Sequence, residues 1–103
     1  MATLLIPSEA LASWLETDLE GRLEVMDDDN LKGSPDYTDA DSVAQALRDA
    51  TSFPAIIEMS DAEAVQASIA VENFLDFADE TDPLDDGKTA LAHLQQQGIT
   101  ERA

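Results

Sequence analysis

The sequence predicts a mainly α-helical fold, a small bundle of four or five helices with at most two or three short strands. Two observations support this fold class. Apolar residues recur at helical spacing in several segments, and residues that favour helix starts precede those segments. A small α+β domain is the alternative. With 103 residues, the whole chain, residues 1–103, is expected to form a single acidic domain.

The first helix is predicted near residues 8–19. Pro7 and Ser8 favour a helix start, and Leu11, Trp14 and Leu15 follow at helical spacing. Residues 22–26 alternate weakly between polar and apolar types, which fits a short strand. Residues 27–37 are predicted to be an acidic loop, because three consecutive aspartates are followed by a glycine and a proline.

Three further segments continue the predicted fold. A second helix is expected to start near residue 38, since its apolar residues fall at i, i+3, i+4 and i+7. Residues 53–59 fit either a buried strand or an added helical segment. Ser60 and Glu63 form a capping-box pattern, so a third helix should run from there to about residue 79.

The last helix is predicted from its two ends. Asp82 and Pro83 fit its N-cap and first helical position. Gly98 fits the left-handed residue that follows a helix end, and Ile99 then stands where an apolar contact back to the helix is expected. Residues 100–103 are expected to be a frayed tail.

Charge is the most unusual property of the sequence. It contains 23 acidic and 5 basic residues, for a formal net charge of −18. A compact domain of this length is roughly 33 Å across, and duplex DNA of that length carries about 20 charges. Such a field repels nucleic acids and anionic membranes and attracts cationic surfaces. We therefore expect a basic protein as partner, itself a nucleic-acid-binding protein or complex, and no direct binding to nucleic acid or membrane.

The sequence lacks the residue patterns of catalysis and cofactor binding. It has no cysteine and one histidine, His93, which no motif connects to a nucleophile or a zinc site. Calcium-loop spacing fails from both Asp27 and Asp82, because required oxygen ligands are missing. We predict no enzymatic activity, no cofactor and no metal site. Residues 1–7 lack the features of a signal peptide, and we expect a cytoplasmic protein.

The predicted third helix carries an acidic stripe. Glu72, Asp76 and Asp79 are spaced i, i+4 and i+7, and this helix contains no base. Like charges at i, i+4 cost about 0.2–0.5 kcal/mol per pair, so the pattern favours a role in binding. Val65 and Ile69, on the same side, are either apolar contacts of that surface or core residues. The predicted partner-binding residues are the clustered acids Asp61, Glu72, Asp76, Asp79, Glu80, Asp82, Asp85, Asp86, Asp27, Asp28, Asp29 and Asp36.

Three functions are compatible with this composition. The first is a nucleic-acid mimic that inhibits a basic DNA- or RNA-binding protein, as phages and mobile elements use against restriction or CRISPR defence. The second is an antitoxin or immunity protein that neutralises a basic toxin. The third is a salt-adapted adaptor or structural domain of a halophile, for which the scarcity of lysine and the excess of aspartate over glutamate are arguments.

Overall fold

A computed structural model describes residues 1–99 of the chain. These residues form four helices and one two-stranded antiparallel sheet. This confirms the mainly α-helical fold class with few strands. The predicted tail, residues 100–103, lies outside the described residues. In chain order the elements are β1 (Ala2–Ile6), α1 (Glu9–Asp28), α2 (Pro35–Asp49), β2 (Ala55–Met59), α3 (Asp61–Phe77) and α4 (Leu84–Gln96).

Helix α1 is longer than the sequence analysis predicts. It begins after Ser8, whose Oγ accepts a hydrogen bond from the Leu11 backbone N–H (3.4 Å). It continues to Asp28, so the strand predicted at residues 22–26 is wrong. The reason is that Leu19 and Leu23 extend the buried stripe of the first turns at i+4 spacing, which outweighs the weak alternation.

The predicted loop over residues 27–37 is correspondingly shorter. Its first two residues belong to α1, and α2 already begins at Pro35, three residues before the predicted start. Ser34 is the N-cap, because its side chain accepts from the Tyr37 backbone N–H (3.3 Å). Pro35 then occupies the first helical position, where its missing N–H costs nothing. Only residues 29–34 connect the two helices.

Strands β1 and β2 form the sheet, with Leu4 opposite Ile57. Residues 53–59 thus contain a strand rather than a helical segment, whereas β1 was not predicted from the sequence. The side chains of Leu4 and Ile6 are fully buried. Gln97 joins the end of α4 to β1, since its amide accepts from the Thr3 N–H and donates to the Thr3 carbonyl, both at 2.8 Å.

Helix α3 lies at the centre and contacts α1, α2, α4 and β1. Its predicted capping box is confirmed: the Glu63 N–H donates to Ser60 Oγ (3.1 Å), and Glu63 Oε1 accepts from the Ser60 N–H (2.8 Å). Ala64, Ala67 and Ala70 are buried, and these small side chains allow neighbouring elements to approach α3 closely. The helix ends at Phe77, two residues before the predicted end.

Helix α4 ends as predicted but begins differently. Pro83 is its N-cap and no side chain caps it, so the predicted capping role of Asp82 is wrong. Gly98 has a positive φ of 78°. The Gly98 N–H donates to the Gln95 carbonyl (3.0 Å) and the Ile99 N–H to the Leu94 carbonyl (3.1 Å), which is a Schellman motif with Ile99 buried.

Phe74 fills the middle of the core. It is fully buried, and the ring of Trp14 meets it edge-on with centroids 5.0 Å apart. On its other side α4 approaches at Gly87, where an added Cβ would lie 2.6 Å from the Phe74 ring. Gly87 is therefore required for α4 to pack against α3.

Gly87→Ala should lower the free energy of unfolding by about 1–3 kcal/mol, because its methyl group overpacks the Phe74 site. The matched control is Gly21→Ala, also inside a helix, where an added Cβ meets nothing within 4 Å. That change should raise the free energy by about 0.5–1 kcal/mol through helix propensity. Urea denaturation measures both, and a stabilising Gly87→Ala would contradict this packing.

Candidate partner-binding surface

Six of the predicted site residues surround the connection between α3 and α4, and we call them the α3–α4 cluster: Asp76, Asp79, Glu80, Asp82, Asp85 and Asp86. The structure brings four of them around one shallow depression, which Glu80, Asp82, Asp85 and Asp86 line together with Pro83 and Leu84. Phe77, which is 79% exposed, lies in the same segment. The cluster is thus an acidic surface, and Phe77 is the strongly exposed apolar side chain beside it.

Asp79 shapes the turn that carries this cluster. Its Oδ1 accepts from the hydroxyl and from the backbone N–H (2.8 Å) of Thr81. These hydrogen bonds, first the hydroxyl and then the backbone one, hold the pKa of Asp79 below its ordinary value. Its own N–H donates to Asp82 Oδ2 (3.1 Å). Asp79 is therefore ionised at neutral pH, and the turn fixes where its charge is presented.

Three further predicted residues lie at the end of α1. Asp27 and Asp28 belong to its last turn, Asp29 is its C-cap, and all three are exposed. The end of a helix is the negative end of its macrodipole, so acids there reduce stability. Asp36, in the first turn of α2, is exposed and lies close by in the chain. We call Asp27, Asp28 and Asp29 the acidic end of α1. The stability of the helix does not explain why acids are found there.

The acidic end of α1 and the α3–α4 cluster are well separated. Helices α1 and α3 run antiparallel, because Arg22 donates to Gln66 (2.9 Å) whereas Trp14 contacts Phe74. The α3–α4 cluster therefore lies near the start of α1. From Trp14 to the last turn of α1 the helix rises about 21 Å. The structure thus does not bring the predicted residues into one cluster.

The acids of α3 do not form the continuous face that their spacing predicts. Ser68, one turn before Glu72 on the same side of the helix, is fully buried and donates to the Val65 carbonyl (2.7 Å). Asp79 lies beyond the end of the helix, and Asp61 is about 22 Å from Asp76 along the axis. Glu72 is half-buried. The reason is that α3 is packed on several sides, so only its ends are exposed.

Helix α1 carries an acidic row that sequence reasoning missed. We call it the α1 ridge, and it consists of Glu9, Glu16, Glu20, Glu24 and Asp27. At 100° per residue these five lie within about 80° of one another and extend over about 27 Å. They were missed because α1 was predicted to end near residue 19. The buried leucines at i+4 spacing, continuing to Leu23, were the signal that could have revealed this row.

One cation lies against the middle of the α1 ridge. Arg48 of α2 pairs with Glu16 (2.9 Å) and with Glu20 (3.3 Å). Glu24 and Asp27, nearer the end of α1, are exposed. Arg48 therefore offsets one of the two charges of Glu16 and Glu20, although an exposed ion pair contributes about 1 kcal/mol at most to stability. The ridge is most strongly anionic toward the end of α1.

The acids are unevenly distributed over the molecule. Residues 1–8, 50–57 and 87–99 contain no aspartate or glutamate. The fold assembles these segments, since β1 pairs with β2 and α4 packs against β1. We call the result the acid-free side. Its border is marked by Glu58 in β2 and by Asp61, which lies 3.7 Å from the N-terminal amine. We call the rest of the described surface the helical side, and the carboxylates are concentrated there.

His93, the single histidine, is half-buried on the acid-free side and shares a hydrogen bond with the Thr3 hydroxyl (2.8 Å). Within residues 1–99 no three histidine, aspartate or glutamate side chains are placed to hold a metal ion. No helix in that part of the chain is long and apolar enough to cross a bilayer. The sequence matches no protein-family model, no curated protein and no solved structure.

Neutralising Asp28 should stabilise the fold, because its charge opposes the helix macrodipole. Asp28→Asn is expected to raise the free energy of unfolding by about 0.3–1 kcal/mol at low salt. Asp85→Asn removes a favourable charge from the first turn of α4 and should lower it by a similar amount. Thermal melts of both variants measure the effects. If Asp28→Asn destabilised the protein, a binding role would not be needed to explain this aspartate.

Thr81→Ala should raise the pKa of Asp79 toward its ordinary value, because the hydroxyl that favours the ionised carboxylate is lost. A lowered pKa in the folded state stabilises the fold above the ordinary pKa, and that stabilisation is lost as the pH falls through the folded pKa. Carboxyl carbon shifts in an NMR titration report the change. Thr89→Ala, whose hydroxyl donates to the Asp85 carbonyl, is the control and should leave Asp79 unchanged.

Proposed function

We propose that this protein is an acidic nucleic-acid mimic that binds and inhibits a basic DNA- or RNA-binding protein. The observation that carries the proposal is the one-sided distribution of its carboxylates. The helical side bears the α1 ridge, the acidic end of α1 and the α3–α4 cluster, whereas the acid-free side bears none. A surface of this kind presents a directed negative field, which attracts a cationic groove in one orientation.

The spacing of carboxylates along the α1 ridge can be compared with the spacing of phosphates along DNA. The α1 ridge carries one carboxylate per about 5–6 Å, while a single DNA strand carries one phosphate per about 3.4 Å of axis. The ridge alone is thus less charged than one strand. The clusters at its two ends add to the same helical side. The protein would imitate the overall field and length of a nucleic acid rather than each phosphate position.

Two other functions remain as alternatives. Neutralisation of a basic toxin would use the same surface. It differs from nucleic-acid mimicry only in whether the protein covers the partner's own nucleic-acid-binding site. Salt adaptation requires carboxylates wherever the protein meets solvent, and the acid-free side is an argument against it. The exposed residues of α4 beyond its first turn include Lys88, Gln95 and Gln96, and none is acidic.

The proposal is tested by capture and competition. The protein is immobilised and exposed to a lysate of the organism that encodes it, and the retained proteins are challenged with an excess of duplex DNA or of RNA. Nucleic-acid-binding proteins should be retained and released by the competitor, because both ligands occupy one site. Retention of the partner under saturating nucleic acid would contradict mimicry and favour the toxin-neutralising alternative.

A pair of variants with the same change in net charge locates the interface. Glu24→Gln with Asp27→Asn removes two charges from the α1 ridge, and Gln95→Lys with Gln96→Lys adds two opposite charges on the acid-free side. The first variant should weaken partner binding by about tenfold or more, which is about 1.4 kcal/mol. The second should have little effect. Equal losses in titration calorimetry would mean that only net charge matters and would contradict an oriented interface.

A further inference from the structure

A groove runs along α1 on the side that faces α3. It consists of two open depressions, of about 480 Å³ and about 620 Å³, which share Thr17 and Asp18 as lining residues. The first reaches Ala10 near the start of α1, and the second reaches Val25 near its end. From Ala10 to Val25 the helix rises about 22 Å, which is four turns.

The groove is open because the α1 residues that line it have small side chains. Ser13, Thr17 and Gly21 are small exposed residues that line it at helical spacing. A Cβ added at Gly21 would meet nothing within 4 Å. Another helix could therefore approach α1 closely, at the interaxial distance of 8–10 Å at which helices usually pack.

Apolar side chains lie along the same groove. Val25 is 60% exposed, and Trp14, Met26 and Ile69 are only partly buried. Trp14 lines the first depression, and the other three line the second. Exposed apolar residues that follow one groove are typical of a binding site rather than of ordinary surface.

Charge indicates what the groove accepts. Asp18 and Asp36 line it, and Glu24 and Asp28 are exposed on the adjoining face of α1. The cation among its lining residues, Arg22, already donates to Gln66. An occupant with apolar residues on one side and basic residues beside them would match both properties.

We propose that this groove binds a basic amphipathic α-helix of the partner protein. The inference rests on the proposed function for the basic character of the partner and adds the structural element that is bound. A helix fits the length of the groove, and its apolar residues, which recur along one face at i, i+3, i+4, i+7 and onward, would reach both Trp14 in the first depression and Val25 in the second. DNA-binding proteins commonly read DNA with a basic helix, so occupation of this groove would remove such a helix from its target.

Two synthetic peptides of about 15–18 residues test the proposal. One arranges leucine and lysine as an amphipathic helix, and the other has the same composition in an order without a helical apolar face. Trp14 is the single tryptophan, so its fluorescence reports the groove directly. The amphipathic peptide should shift Trp14 emission to the blue and bind about tenfold more tightly than the scrambled one.

Matched variants separate the groove from the rest of the surface. Val25→Ser should weaken binding of the amphipathic peptide about fivefold or more, and Gly21→Leu should block it by filling the groove. Ile56→Ser is the control, since Ile56 is 66% exposed on β2 and does not line the groove. Circular dichroism melts establish that each variant is folded. Unchanged binding by folded Val25→Ser and Gly21→Leu proteins would overturn the proposal.

The peptides also distinguish the two levels of inference. If both peptides bound equally and without a Trp14 shift, the groove proposal would be wrong, whereas attraction of a cationic partner to the helical side would stand. If neither peptide bound at physiological salt, the groove proposal would fail together with the cationic character of the partner that underlies the proposed function.

Discussion

The structure depends on the burial of α3 among four other elements. Small residues along this helix, Ala64, Ala67, Ser68 and Ala70, let its neighbours approach, and Phe74 fills the space that Gly87 leaves open. A helix packed in this way cannot present a continuous charged face, so its exposed acids, Asp61 and Asp76, are confined to its two ends. Helix α1 lies outside it instead, and its exposed side carries the α1 ridge, with the groove running beside that ridge on the side that faces α3. The location of the charged surface therefore follows from which helix occupies the centre.

The fold also tolerates charge where charge is unfavourable. Helices α1 and α3 have no base in their last turns, and both end in acids, Asp27 and Asp28 in one and Asp76 in the other. Each such residue costs a fraction of a kcal/mol, so the three together cost about 1–3 kcal/mol of the roughly 5–15 kcal/mol that stabilises a domain. Natural sequences retain such costs mostly where function requires them. Together with the acid-free side, this is the physical argument for a directed interaction.

Sequence reasoning predicted the elements that local chemistry determines. The capping box at Ser60 and the helix end at Gly98 both follow from contacts within a few residues, and both are confirmed. The strand β1 was missed because residues 2–6 gain their strand pairing from β2, 49–57 residues away in the sequence. The α1 ridge was missed because the end of α1 was placed too early. Which acids share a side depends on long-range packing, which periodicity alone does not contain.

The most direct test of the central claim is the thermal stability of the protein as a function of salt. If the carboxylates serve a partner, the isolated protein should fold at about 50 mM salt, where charges interact over more than 10 Å. Its melting temperature should then rise modestly as added salt screens their repulsion. A protein that is unfolded at low salt and folds only in molar salt would contradict the account, because its carboxylates would then be an adaptation to the solvent.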